Sequence, residues 1–253
     1  MLNNALTDLL TKMADDELIQ GHRNSEWTGL GPMMEEDIAF SSMAQDKIGH
    51  ALALYKVIQE QLGGTDPDQY AFCRAEKDFK CCHLVEMPNS GYDLSLMRHF
   101  LFDMAETVRY ESFADSSFEP LQHLARKFKG ELKYHTLHAN AWVIQLGQAG
   151  EESYDRMQTA LNETIALAAG IFEPSREFES LLTDEKVYPG ETALYHRWLD
   201  RIYPVLVKSS LNLPDISSIQ PAFGGRQGVH TPYLAPLLKE MGEVIHIDTK
   251  ANW

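Results

Sequence analysis

Two short segments combine an acid and a histidine in a way that is typical of helical metal sites. The segment QDKIGH ends at His50, and the segment ELKYH ends at His135. In each, an acid stands four residues before the histidine, Asp46 in the first and Glu131 in the second. Residues three or four apart share one helix face, so a carboxylate and an imidazole can converge on one ion. Such ligands suit iron or manganese, and each segment therefore resembles half of a di-iron site.

The di-iron sites of helical bundles use one Glu from each of two helices and Glu-x-x-His from each of the other two. Glu17 and Glu106, with Asp103 nearby, stand upstream as the single acids. However, the positions three before the histidines hold Lys47 and Leu132. An ammonium group is a cation and leucine has no donor atom, so neither ligates a metal. We therefore predict six positions of a vestigial metal site, Glu17, Lys47, His50, Glu106, Leu132 and His135, with Asp46, Asp103 and Glu131 as flanking acids.

Lys47 suggests how such a site could persist without metal. Buried carboxylates at Glu17 and Glu106 would need a compensating charge, because buried charge must be paired or neutralised. We hypothesise that the Lys47 ammonium bridges these carboxylates, which requires Lys47 to be buried within hydrogen-bonding reach of one of them. The alternative is that Lys47, Asp46 and Glu131 form ordinary surface pairs.

In a second alternative, the site binds metal despite Lys47 and Leu132. Asp46 with His50 and Glu131 with His135 would then bind ions at i, i+4 spacing, as some helical sites do. The literal E-x-x-H at Glu243–His246 has no second copy in register, and chance explains it better. The other histidines lack a ligand context and are expected to be satisfied polar residues: His22, His83, His99, His123, His138, His196 and His230.

Other chemistries have little support in the sequence. There is no G-x-G-x-x-G, G-x-x-x-x-G-K-[ST] or G-x-S-x-G motif. Cys81 or Cys82 beside His83 could form a Cys–His nucleophile, but adjacency in sequence does not create that geometry. We expect structural thiols instead.

The elements that must position these residues are helices, because apolar residues recur with helical and not strand period. Asp93 is the expected N-cap of the third helix, and Pro120 belongs to the first turn of the fourth. Residues 65–93 form an irregular connector, whose length suggests a crossover. Helices are predicted at about 2–22, 35–62, 94–118, 120–147, 152–172, 191–209 and 233–244. The expected fold is all-α: a single domain over 1–253, with a four-helix core at about 2–148 and a helical extension at about 151–253.

The composition and net charge argue against two classes of binding partner. A net charge of -15 without a basic run disfavours nucleic acid and anionic membranes. No targeting segment and no membrane span is recognisable. Three clustered cysteines, Cys73, Cys81 and Cys82, fit a reducing cytoplasm better than a disulfide framework.

Four segments resemble one known family: Glu26–Trp27, EEDIAFSSMAQDKIGHA from Glu35, GELKYH from Gly130, and GGRQGVHTPYLAPLLKEM from Gly224. They resemble the structural C subunits (the PaaC family) of ring 1,2-phenylacetyl-CoA epoxidase, a multicomponent monooxygenase. The resemblance covers nearly the whole chain and implies a ferritin-like fold. It also implies a role in phenylacetate catabolism in which this chain is not catalytic by itself and holds no cofactor.

The expected partners are a homologous catalytic A subunit with a di-iron centre, a small B subunit and a reductase, in a homo- or hetero-oligomer. A second hypothesis, of a different class, makes this chain a di-metal carboxylate oxidase or ferritin-like enzyme with an unusual ligand set.

Overall fold

The computed structural model describes residues 1–248, and these residues form ten α-helices linked by loops and 3-10 turns, with no β-strand. The predicted all-α class is confirmed, and it is consistent with a ferritin-like fold. Within the same residues, no helix is both long and apolar enough to cross a membrane. The helices are α1 (Leu2–Ser25), α2 (Met34–Leu62), α3 (Pro67–Phe72), α4 (His83–Glu86), α5 (Tyr92–Ser112), α6 (Glu119–Gly147), α7 (Glu151–Ala169), α8 (Glu179–Asp184), α9 (Glu191–Lys208) and α10 (Leu234–Met241).

Local signals explain where the two longest helices begin and end. Three acids occupy the first turn of α2, where they interact favourably with the helix dipole. The same helix ends at Gly63, which adopts a left-handed conformation with φ of 76°. Pro120 lies in the first turn of α6, where its missing N–H costs no helical hydrogen bond. These boundaries agree with the sequence-based prediction.

The prediction for the third helix was wrong at both ends. The N-cap of α5 is Gly91 and not Asp93, so Asp93 lies inside the first turn. There its carboxylate accepts hydrogen bonds from Arg156 of α7 at 3.2 and 3.3 Å, instead of capping its own helix. At the other end, α5 stops at Ser112, and a 3-10 turn over Phe113–Asp115 follows.

Short helices were the other element that the sequence pattern missed. The connector predicted to be irregular contains α3, α4 and a 3-10 turn at Glu76–Asp78. Asp66 caps α3 by accepting from the backbone N–H groups of Asp68 and Gln69. The six-residue helix α8 was also not predicted. One or two turns are too short to display a periodic apolar face, so their detection depends on cap residues.

Helix contacts divide the chain into two compact units. The first unit comprises Met1–Pro88 and the described part of Gly224–Trp253, and the second comprises Asn89–Phe223. In the first unit α1 packs along α2, and in the second α5 packs against α6, α7 and α9. Helices α7 and α9 therefore pack on α5 within the second unit. The division into a core and an extension within a single domain stays a prediction.

Buried polar contacts fix the packing of α9 on α5 in the second unit. The indole of Trp198 is fully buried and donates to the carbonyl of Leu101 at 3.0 Å. Arg109 on α5 makes a two-pronged ion pair with Glu191 at the start of α9, at 2.8 and 2.7 Å. Such planar, two-bond pairs are among the stronger charge-assisted contacts, so they set the register of the two helices.

Glycines let the C-terminal segment of the first unit approach the connector closely. A Cβ on Gly225 would lie 2.1 Å from the carbonyl oxygen of Cys81. A Cβ on Gly228 would lie 2.1 Å from that of Lys77, and Gly228 also has φ of 76°. No other residue fits either position without backbone movement.

Replacing Gly228 should destabilise the protein. Gly228→Ala combines a left-handed conformation, which costs an L-residue roughly 1–2 kcal/mol, with the backbone clash. We expect the free energy of unfolding in urea to fall by at least about that amount. Gly49→Ala is the matched control, because Gly49 is an exposed residue inside α2 with open space around its Cβ position. That control should gain roughly 0.5–1 kcal/mol. A Gly228→Ala protein as stable as the wild type would contradict the packing.

Candidate functional site

The first cluster consists of Glu17 on α1 with Lys47 and His50 on α2. The Glu17 side chain is 1% exposed and carries both contacts. His50 Nδ1 lies 3.0 Å from Glu17 Oε1, and the Lys47 Nζ lies 3.5 Å from Glu17 Oε2. Because an ionised carboxylate only accepts, the imidazole N–H of His50 donates to it.

Lys47 is buried, as the cation hypothesis requires, and its ion pair with Glu17 is longer than an ordinary hydrogen bond. Lys47 is 0% exposed, so it is not the surface residue of the alternative interpretation. Asp46 and Glu131 are both half-buried, whereas His50 and His135 are buried. The two members of each i, i+4 pair thus lie in different environments. That Lys47 replaces a metal ion stays a prediction.

The Glu17–Lys47 pair of the first cluster is one of three adjacent charge pairs whose acids lie on α1. Asp15, Asp16 and Glu17 follow one another in sequence, and all three are buried. Each acid contacts a cation from a different part of the first unit. Arg74, just after α3, contacts Asp15 at 2.5 Å, and Arg226 of the C-terminal segment contacts Asp16 at 2.7 Å. Consecutive helix positions point in different directions, so one turn of α1 binds three separate segments.

The second cluster lies in the other unit and consists of His99 and Asp103 on α5 with His135 on α6. All three side chains are 0% exposed. Asp103 contacts His99 closely, and its Oδ1 lies 3.7 Å from His135 Nδ1. Leu132 and Glu106 are also buried, at 3% and 7% exposure. Asp103 thus contacts both histidines, although the sequence had suggested it only as a flanking residue.

His99 was missed by the sequence reasoning, although its spacing contained a signal. It stands four residues before Asp103, which is the same i, i+4 relation as in the two opening segments. Burial lowers the pKa of His99, and the neighbouring rings of His138 and His135 lower it further, outweighing the effect of Asp103. The ring centroid of His138 lies 5.5 Å from that of His99.

The literal E-x-x-H motif does not form a site. Helix α10 ends at Met241, so Glu243 and His246 do not share a helix. Both are exposed, and His246 Nε2 contacts the carbonyl of Phe72 at 3.1 Å. Cys81 and His83 also do not form a Cys–His nucleophile, because the His83 ring contacts the carbonyl of Val229 at 2.8 Å.

These donor sets do not fit a di-iron centre of the bundle type. In the first cluster a fixed positive charge already contacts the carboxylate that a metal would need. In the second, the position that should supply a carboxylate three residues before His135 holds the hydrocarbon side chain of Leu132. Each cluster therefore lacks the Glu-x-x-His pair that binds metal in such bundles.

The class of protein follows from these features: over residues 1–248 it is an all-helical protein whose interior carries two buried carboxylate–imidazole clusters. A comparison with protein families matches residues 1–253 to the family described as phenylacetic acid catabolic protein. The chain belongs to this family, which confirms the resemblance seen in its sequence. It is 28% identical over 250 residues to the C subunit of 1,2-phenylacetyl-CoA epoxidase from Escherichia coli (strain K12). That match covers 99% of this chain and 100% of the relative.

Removing the cation of the first cluster should be costly. Lys47→Met leaves Glu17 as a buried acid without its ammonium partner, and breaking a buried pair in this way costs about 3–5 kcal/mol. The double variant Lys47→Met/Glu17→Gln should recover most of that loss, because both charges are then gone. Urea unfolding of the two variants and the wild type measures the difference. Equal stability of the single variant and the wild type would contradict a buried charge pair.

His99 should make stability depend on pH. Because its folded pKa lies below the ordinary 6.5, the unfolded chain binds a proton more readily as pH falls through that value. Stability from this group is therefore complete above pH 6.5 and decreases toward acid. His99→Gln should show a smaller loss of unfolding free energy between neutral and mildly acidic pH than the wild type. His123→Gln is the control, since His123 is exposed, and its pH slope should match that of the wild type.

Proposed function

We propose that this chain is a non-catalytic, structural subunit of a phenylacetyl-CoA epoxidase assembly in aerobic phenylacetate catabolism. In that role it supports a homologous catalytic subunit, which holds the di-iron centre, and itself carries no redox metal at the two clusters. The family and the name of the relative support the involvement in this reaction. The free state of all three cysteines supports a reducing compartment such as the cytoplasm.

One observation carries the structural role: the buried ammonium of Lys47 on Glu17. In a metal-binding subunit, the metal ion at Glu17 would lie close to the Lys47 ammonium. Two like charges in a buried site repel strongly. Leu132 gives independent support, because it stands where the half-site that ends at His135 would need a glutamate ligand. The fold would then be maintained for its interfaces and not for its own chemistry.

An exposed apolar stripe on α2 is a suitable contact surface for the partner. Ile38 is 62% exposed and Leu52 is 41% exposed, and Met34 and Ile48 are also exposed. Their separations of four and fourteen residues place them on one face of the helix. Contiguous exposed apolar surface commonly marks a protein–protein interface. We assign this stripe to the homologous catalytic subunit, with the B subunit and the reductase completing the assembly.

The di-metal oxidase remains as the second candidate, because His50 and His135 are both retained and buried. The two candidates differ in metal content. The structural role predicts no stoichiometric iron or manganese in the purified chain. Near-stoichiometric iron or manganese that disappears in His50→Ala and His135→Ala would support the oxidase and contradict our proposal.

Reconstitution tests the structural role. The full chain should convert no phenylacetyl-CoA by itself, and it should co-purify with the catalytic subunit of its own organism. Activity of the remaining components should depend on adding this chain. The proposal would be contradicted if the purified chain were a monodisperse monomer that does not bind the catalytic subunit.

The stripe on α2 allows a sharper version of this experiment. Ile38→Glu/Leu52→Glu should weaken association with the catalytic subunit by at least about tenfold, the range found for central interface residues. Its unfolding free energy should change little, because both positions are exposed. Val244→Glu/Ile247→Glu is the matched control, since it changes two exposed apolar residues, at 58% and 78% exposure, away from α2. Wild-type affinity of the α2 variant would show that the stripe is not the interface.

A further inference from the structure

A third cluster of potential ligands lies in the first unit and plays no part in the proposed function. It consists of Cys81 in the connector, Glu86 at the end of α4, and His230 in the C-terminal segment. Cys81 is 0% exposed, and the side chains of Glu86 and His230 are 0% and 1% exposed. One sulfur, one oxygen and one nitrogen atom from these residues all lie within 4.8 Å of one another.

We propose that this cluster binds one zinc-like divalent cation, through Cys81 Sγ, Glu86 Oε1 and His230 Nδ1. Thiolate, carboxylate and imidazole form a mixed donor set that suits Zn²⁺. The site goes beyond the proposed epoxidase role and does not depend on it, because none of its residues belongs to the first or second cluster.

The separations of the donor atoms are close to those of a tetrahedral site. Metal–ligand bonds of about 2.0–2.3 Å place such donors roughly 3.3–3.6 Å from one another. Here Cys81 Sγ lies 3.6 Å from Glu86 Oε1 and 4.0 Å from His230 Nδ1. The remaining pair, His230 Nδ1 and Glu86 Oε1, is 2.7 Å apart and is held by a hydrogen bond. A three-ligand site forms when the His230–Glu86 contact lengthens and the Cys81–His230 separation shortens, each by roughly 1 Å or less, and a water molecule would complete the tetrahedron.

The partners of these ligands already orient them. His230 Nε2 lies 3.1 Å from the carbonyl of Phe79, which can only accept, so Nε2 carries the proton. This directs Nδ1 toward the other two ligands. Glu86 Oε2 accepts the backbone N–H of Thr231 at 2.7 Å, which leaves Oε1 directed toward His230 and Cys81. Hydrogen bonds of this kind are the usual second contacts of metal-binding histidines and carboxylates.

Charge and protons balance when the ion binds. Without metal, one proton lies in the hydrogen bond between His230 Nδ1 and Glu86 Oε1 and another in the contact of Nε2 with the Phe79 carbonyl, so the His230–Glu86 pair is neutral overall. Burial, together with nearby Glu86, raises the pKa of the Cys81 thiol, so the thiol is neutral. A divalent cation replaces the Cys81 S–H proton and the His230 Nδ1 proton, which leave to solvent. The thiolate and the carboxylate then neutralise the ion, so the buried site has no net charge in either state.

The ligands come from two segments that other contacts already hold together. Arg226 donates to Asp16 at 2.8 Å and to the carbonyl of Lys80 at 2.7 Å, next to Cys81. Gly225 packs on the Cys81 carbonyl. An ion at this position would link the C-terminal segment to the connector.

Metal analysis of the full-length chain tests the site, with cobalt as a spectroscopic probe. We expect about one zinc per chain after growth with zinc, and a thiolate-to-cobalt charge-transfer band after exchange with Co²⁺. Cys81→Ala and His230→Gln should lose the band and bind zinc at least about tenfold more weakly, since even outer contacts contribute that much. Cys82→Ala is the matched control, because Cys82 is an equally buried neighbour outside the cluster, and it should keep both signals.

The thermal midpoint of unfolding provides a second measurement of zinc binding, which does not depend on how much of each variant is obtained. Zinc should raise the thermal midpoint of the wild type and of Cys82→Ala, but not that of Cys81→Ser, which retains the size of the side chain. Absence of the cobalt band in the wild type, or equal zinc binding by Cys81→Ala, would overturn the proposal. The cluster would then be a Glu86–His230 ion pair with a neighbouring thiol.

Discussion

The first unit depends on the neutralisation of three consecutive buried acids on α1. Asp15, Asp16 and Glu17 all lie in the interior, where an unpaired carboxylate would be strongly unfavourable. Each is matched by a cation from a different segment, and those segments are far apart in sequence. The charge requirement therefore decides which parts of the chain must meet: the end of α3, the middle of α2, and the C-terminal segment.

This constraint also gives a physical account of how a helical metal protein could lose its metal. Removing an ion from a carboxylate-lined interior leaves negative charge that something must balance. At Glu17 the balance is supplied by Lys47, whose ammonium is covalently part of the chain and needs no ligand geometry beyond one contact. A lysine at this position balances the Glu17 carboxylate and links α2 to α1 without a metal ion.

The C-terminal segment owes its position to both charge and backbone shape. Arg226 reaches Asp16, His230 reaches Glu86, and two glycines allow the backbone to approach the connector. These contacts explain why the GGRQGVHTP sequence needs its particular glycines, arginine and histidine. They also bring Cys81 beside Glu86 and His230, which places a thiol, a carboxylate and an imidazole together that no single segment contains.

The sequence alone determined the long helices, the all-α class and the family, because apolar periodicity, capping residues and helix dipoles act over a few neighbouring positions. It also suggested Glu17, Lys47, His50 and His135 as candidate site residues, all of which are buried, since i, i+3 and i, i+4 spacing is a local property of helices. It failed where short helices lack a period, as in α3, α4 and α8, and where Asp93 bound Arg156 instead of capping α5. Only the tertiary structure decided that Lys47 is buried on Glu17, that Asp103 contacts His99 and His135, and that Cys81, Glu86 and His230 converge. Those contacts join residues up to about 150 positions apart, and such pairing is set by which buried charges and donors must be satisfied together, not by any local pattern.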